Sequence, residues 1–203
     1  MAKRVDALIR NPEHTYPILC RLNSDNQKYV QKSVANHIND ISKDHPQWIV
    51  RKISAWDTAN PSTLWIVKHG LRTLIKQGHK KALKILNSDQ RPEIILSDVK
   101  VDSSVRTGEK MHFSFSITSV KKTSQQLMID YRMHFCRKGG KSSAKTFKLK
   151  SLLLEPRGTA QFSKHYQFKD YSTRSHYPGE HRWELLINGE TQVVKKIILK
   201  EGS

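Results

Sequence analysis

Over residues 28–43 the apolar residues Val30, Val34, Ile38 and Ile41 recur at intervals of four, four and three. That spacing lays one stripe along an amphipathic helix. Ser24 or Asp25 is placed to cap its start. Pro46 suits the first position of a following helix over residues 46–55, which carries Trp48, Ile49 and Ile53. Asn60-Pro61 repeats the cap-and-proline signal. Leu64, Val67, Leu71 and Leu74 then mark a third helix closed by Gly78. A short last helix is predicted over 79–86, and Asp6–Arg10 and residues 15–22 also read as helical. Short helices with tight links predict antiparallel helix pairs of the solenoid kind, with no strict repeat period visible in the residues themselves.

Near residue 90 the period changes from helical to two. Met111, Phe113, Phe115 and Ile117 alternate with His112, Ser114, Ser116 and Thr118. Leu127, Ile129, Tyr131, Met133 and Phe135 alternate with Met128, Asp130, Arg132 and His134. Each pattern predicts a strand with one buried face. Phe147 and Leu149 continue the alternation less cleanly, as do Phe162, Tyr166 and Phe168. Trp183, Leu185 and Ile187 run into Asn188-Gly189, a type I′ hairpin signal, and the chain returns through Val193 to Leu199. With Ile94–Val101 this makes about seven strands, the number of an immunoglobulin-like sandwich, here without its cysteine pair. The polar, proline-containing stretch 87–92 reads as a linker. The predicted class is therefore α + β in two domains, a helical repeat over 1–90 and a β-sandwich over 91–203.

Charge alters this picture. The 203 residues hold 36 Lys+Arg against 18 Asp+Glu, a net +18. Residues 1–90 carry 15 and 7, a net +8; residues 91–203 carry 21 and 11, a net +10. Both halves are basic, which points to a polyanion partner whose surface runs across both. No apolar run approaches a membrane span, and no apolar signal region follows Met1. Cys20 and Cys136 lie far apart and read as free thiols. The histidines are scattered, and neither a metal-ligand spacing nor a Gly-rich phosphate loop is present, so neither metal nor organic cofactor is expected.

In helical projection, Lys32, Asn36, Asn39, Asp40 and Lys43 fall opposite the apolar stripe of the 28–43 helix. Two readings fit: a solvated face with i,i+4 support, or a groove in which Asp40 meets a developing positive charge while the lysines hold phosphates. On the helix after Pro61, Trp65, Lys68, His69, Arg72 and Lys76 share a face. Cations with an interleaved aromatic suit a nucleic-acid groove; equally, Trp65 can pack against a neighbouring helix pair. In the sandwich half, Arg137, Lys138, Lys141, Lys145, Lys148 and Lys150 surround Gly139-Gly140, a hairpin tip whose lysines either meet a phosphate backbone or guard an edge strand. A second loop over 169–181 carries Arg174, His176 and Tyr177.

The segment from Tyr29 to Pro46, with Trp48, and the stretch from Leu64 to His79 together resemble bacterial alkylpurine DNA glycosylases built from HEAT-like repeats, closer to the AlkC type than to AlkD. Some AlkC-type members are similar in carrying a C-terminal immunoglobulin-like domain. The resemblance implies hydrolysis of the N-glycosidic bond of cationic alkylated purines, chiefly 3-alkylated adenine, in duplex DNA by a bacterial enzyme; free thiols suit a reducing cytoplasm, and a monomer is expected. It implies that Asp40 is the catalytic carboxylate, with Asn36 lining the lesion site and Lys32, Lys43, Lys68, Arg72 and Lys76 holding the backbone. Family members have further helical repeats ahead of the matching segment, so the chain is expected to represent the C-terminal portion. The residues alone also fit two rivals, a non-catalytic DNA-binding module and a scaffold for an acidic protein.

Overall fold

Helix α3 (Lys28–Asp44) forms where the 3.6-residue stripe predicts it, and it buries Val34, Ala35, Ile38 and Ile41. Its start differs from expectation. Neither Ser24 nor Asp25 caps it; Gln27 occupies the cap position, and Asp25 accepts a hydrogen bond from the Gln27 backbone N–H at 2.7 Å. The computed structural model describes residues 5–87, 91–170 and 175–202; residues 88–90 of the predicted linker and Arg174 of the predicted loop lie outside the described residues. The chain divides into two units, Met1–Asp89 and Gln90–Ser203.

The first unit comprises α1 (Asp6–Arg10), α2 (Tyr16–Leu22), α3, α4 (Pro46–Ile53), α5 (Pro61–Gly70), α6 (Arg72–Lys76) and α7 (Lys80–Ile85). Pro46 opens α4 as predicted, although the helix stops at Ile53. Asn60 accepts from the backbone N–H groups of Ser62 and Thr63, satisfying two of the donors that a helix start leaves open. The predicted single helix up to Gly78 is divided at Leu71, whose ψ of 7° bends the chain between α5 and α6. Leu64 is a second departure. It is 40% exposed, and the buried stripe runs instead through Thr63, Ile66, Val67 and Gly70. Gly78, at φ 74°, ends α6 with His79 N–H on Leu74 O and Gly78 N–H on Ile75 O, the paired bonds of a Schellman stop.

A repeat hidden in the residues is plain in the contacts. Tyr16 Oη donates to Lys52 O, 36 residues on; the His45 ring meets Ile9 O, also 36 residues away; Lys52 Nζ meets Glu13, 39 away. On the other layer Gln31 meets Ser62, Asn36 meets Arg72 and Asn39 meets Thr73, at separations of 31, 36 and 34. Thus α2 and α4 are successive outer helices, and α3 and α5–α6 are successive parallel inner ones, as in a helical-repeat array. The two inner helices approach so closely that a Cβ on Gly70 would lie 2.7 Å from Ile38 Cγ2.

The second unit is a two-sheet sandwich. Its strands are β1 (Ile94–Val101), β2 (Ser104–Arg106), β3 (Lys110–Ser119), β4 (Gln125–Cys136), β5 (Ser142–Leu154), β6 (Thr159–Gln167), β7 (Gly179–Ile187) and β8 (Glu190–Lys200). One sheet has the order β1-β3-β6 and the other β2-β8-β7-β4-β5. All pairings are antiparallel except β2 with β8. Strand β2, three residues long, escapes period-two reading and exists because β8 offers it an edge. Met111, Phe113, Phe115 and Ile117 point inward from β3 toward Leu127, Ile129, Tyr131 and Met133 of β4 and the fully buried Trp183 of β7. The Phe113 ring lies 5.0 Å from Tyr131 and 5.1 Å from Trp183. Burial pushes the Tyr131 phenol up to about 12. Asn188 and Gly189 both have positive φ in the two-residue β7–β8 hairpin, and Asn188 additionally accepts from Met128 N–H at 2.9 Å.

Candidate nucleic-acid interface

The solvent side of α3 presents Tyr29, Lys32, Asn36, Asp40 and Lys43, spaced so that each lies about one turn from the next or over an intervening turn. The structure corrects the projection at one place. Asn39 is 3% exposed, and its Oδ1 accepts from Thr73 Oγ1 at 2.8 Å, so it ties α3 to α6 and is not available to a ligand. The wheel placed it opposite the apolar stripe, but the neighbouring inner helix covers a broader arc of α3 than that stripe marks, burying Gln31, Ala35 and Ser42 as well.

Asp40 lies open. Its side chain is 68% exposed and bonds Lys43 Nζ at 2.7 Å, one turn along the same helix. An exposed i,i+3 pair of this kind contributes at most about 0.5 kcal/mol, so a cationic ligand or a phosphate can readily displace it.

One turn before Asp40, Asn36 does something its sequence position did not announce. Its Oδ1 accepts from Arg72 Nη2 at 3.2 Å, while Arg72 Nη1 donates to His69 O at 2.7 Å. A guanidinium held at two points is preorganised to take an anion. His69 is itself oriented: Nδ1 donates to Trp65 O at 2.8 Å, and its ring stacks on the Trp65 indole at a centroid distance of 3.8 Å and 18° between planes. Lys28 Nζ lies 5.5 Å from the Trp65 ring centroid. The indole face is thus largely engaged within the protein. Lys68 is half-buried on α5, and Lys76 is exposed at the end of α6. The fold therefore assembles Lys28, Lys32, Asn36, Asp40, Lys43, Trp65, His69 and Arg72 from three helices onto one open face. A cavity of about 810 Å³ between α4 and α7, lined by Trp48, Arg51, Lys81 and Lys84 among others, shares no residue with it.

In the sandwich, Arg137, Lys138 and Lys141 sit at the β4–β5 turn. Arg137 N–H bonds Lys141 O at 2.8 Å, its guanidinium bonds Ser143 Oγ at 2.8 Å, and Gly139 takes φ 75°. Lys138 and Lys141 are exposed. Lys145, Lys148 and Lys150 continue along β5, an edge of its sheet. The other predicted loop is corrected in part. His176 is buried, with its ring nitrogens on Tyr166 Oη at 3.1 Å and Asp170 Oδ1 at 3.1 Å, so it is a core residue and not a backbone contact. The His176 backbone N–H, which donates to Asp170 Oδ1 at 2.8 Å, and then the His176 ring bond hold the Asp170 carboxyl below its ordinary range. Among the described residues no cluster of three or more His, Cys, Asp or Glu side chains could hold a metal ion, and Cys20 and Cys136 are free.

A helical-repeat unit with a cationic face around one carboxylate, joined to an immunoglobulin-like sandwich, defines the class. The chain belongs to the family described as uncharacterised protein YhaZ, C-terminal Ig-like domain, which matches residues 96–201. The uncharacterised protein YhaZ of Bacillus subtilis (strain 168) is 37% identical over 191 residues, covering 94% of this chain and 53% of that relative. The solved structure of Pseudomonas fluorescens alkylpurine DNA glycosylase AlkC bound to DNA containing an abasic site analog matches with a TM-score of 0.93 at 36% identity. It covers 98% of this chain and 56% of that one. The resemblance to the AlkC type stated from the residues is borne out over both units. The chain spans little more than half the length of either relative.

Proposed function

We propose that this chain is part of a DNA alkylation-repair glycosylase that grips duplex DNA and removes cationic alkylated purines such as 3-methyladenine. The observation that carries the reading is the open Asp40 carboxylate, one turn from the Asn36–Arg72 clamp, in a chain that superposes almost entirely on a glycosylase bound to DNA with an abasic site analog. Alkylation places positive charge on the base and weakens its bond to the sugar. Heterolysis leaves the base neutral and the sugar as an oxocarbenium ion. A carboxylate beside that sugar stabilises the charge as it develops and orients the water that adds to the anomeric carbon. In this reading Asp40 exchanges Lys43 for the cationic nucleotide, Arg72 takes a flanking phosphate, and Lys32, Lys43, Lys68 and Lys76 grip the backbone, with Arg137, Lys138 and Lys141 adding contacts from the sandwich.

The test is release of 3-methyladenine from methylated duplex DNA. Base release by the wild-type chain and its loss in Asp40→Asn, with duplex affinity retained, supports the reading. Salt-sensitive duplex binding without release favours a non-catalytic module, the second reading, to which the 68% exposure of Asp40 also lends weight.

A further inference from the structure

Tyr29 is 86% exposed, the most exposed large apolar or aromatic side chain among the described residues. It stands on the first turn of α3, on the face that carries Lys32, Asn36 and Asp40. Asp40 lies eleven residues further along, about 16 Å at the rise of an α-helix. Lys28 precedes Tyr29 on α3 and Lys32 follows about one turn on, both exposed. Against the one nearby carboxylate, Asp25, which accepts from the Gln27 backbone N–H, the two lysines leave an excess of positive charge that suits a phosphate-bearing partner. Trp65, the aromatic that the residue pattern singles out, is stacked on His69 and approached by Lys28. On this face, among the described residues, the aromatic open to a ligand is Tyr29.

We propose that Tyr29 makes a non-ionic contact with the bound DNA, laying its ring on a nucleotide sugar or base edge remote from the lesion, while the surrounding lysines take the phosphates. This rests on the DNA reading above and assigns a division of labour within that face. Ionic contacts release counterions and set the salt slope, whereas ring packing on a nucleotide adds affinity that salt does not screen.

The experiment is fluorescence anisotropy of the full chain with a labelled duplex carrying a tetrahydrofuran abasic site, between 50 and 200 mM salt. Tyr29→Ala is expected to weaken binding by about fivefold or more, the scale of a lost aromatic–nucleotide contact, with the salt slope unchanged. Tyr29→Phe should stay within about twofold of wild type, because the ring makes the contact. Lys32→Ala should instead reduce the slope by about 0.9. Thermal midpoints should be unaltered, as expected for so exposed a side chain. Wild-type affinity in Tyr29→Ala, or an equal loss in Tyr29→Phe, overturns the proposal while leaving DNA binding intact. Absence of duplex binding by the wild-type chain overturns the DNA reading itself, and this inference with it.

Discussion

The two units carry nearly equal excess charge, +8 over residues 1–90 and +10 over 91–203, and organise it differently. In the helical unit Lys28, Lys32, Lys43 and Arg72 share a face with a carboxylate, an amide and rings, and several are held: Arg72 by Asn36 and His69 O, Lys43 by Asp40, Lys28 near Trp65. In the sandwich they line an edge strand and a hairpin tip, with Lys138 and Lys141 directed to solvent. Fixed cations beside an acceptor of positive charge make a candidate site. Loose cations along an edge attract polyanions, and they also prevent a second sheet from pairing there. Net charge alone does not separate these roles.

The largest expected effect probes the sandwich. Trp183→Ala empties the centre of its core and should cost about 3–5 kcal/mol, seen as a large fall in the unfolding transition followed by near-ultraviolet circular dichroism. Next comes the helical face. Gly70→Ala drives a Cβ to 2.7 Å from Ile38 Cγ2 and should destabilise the unit by about 1–3 kcal/mol. If its melting curve at 222 nm is unchanged, the close packing that aligns Asn36 with Arg72 is not needed. Asn60→Ala removes the α5 cap and should cost about 1 kcal/mol by urea titration.

Smaller effects sharpen the contrast in charge. Lys138→Ala with Lys141→Ala should leave stability within about 0.5 kcal/mol of wild type. If both lysines meet phosphate, the slope of log affinity against log salt falls by about 0.9 for each. No change in slope would confine DNA contact to the helical unit. The smallest effect is the pH dependence of the sandwich. Burial pushes the His181 imidazole below its ordinary 6.5. The unfolded chain therefore binds the proton first. The contribution of His181 is fully present above pH 6.5 and is lost as the pH falls from there through the folded value. An acid titration of stability should show this decline, and His181→Gln should flatten it.

Much of the architecture was legible because it rests on local rules. The proline after a polar cap at Asn60-Pro61, the proline opening α4, and the left-handed pair Asn188-Gly189 each settle a backbone conformation within a few residues. The alternation in β3 and β4 follows from one face of a sheet being dry. Other features need a partner distant in the chain. Strand β2 is too short to declare itself and exists through β8. Leu71 bends the third helix where Gly70 must pass Ile38. The repeat of 31 to 39 residues is carried by contacts between unlike residues, such as Tyr16 with Lys52 and Asn39 with Thr73, so matching letters does not reveal it.

By itself the sequence determined the change from helical to sheet period near residue 90, the cationic balance of both halves, and the placing of Asp40 and Asn36 on one helical face, because periodicity and formal charge are properties of the chain. Only the tertiary structure decided that Asn39 is buried while Asn36 holds Arg72, that Trp65 is stacked away while Tyr29 stands open, and that His176 belongs to a core. Those outcomes depend on which neighbouring element covers a given arc of surface. A helical projection contains no neighbours.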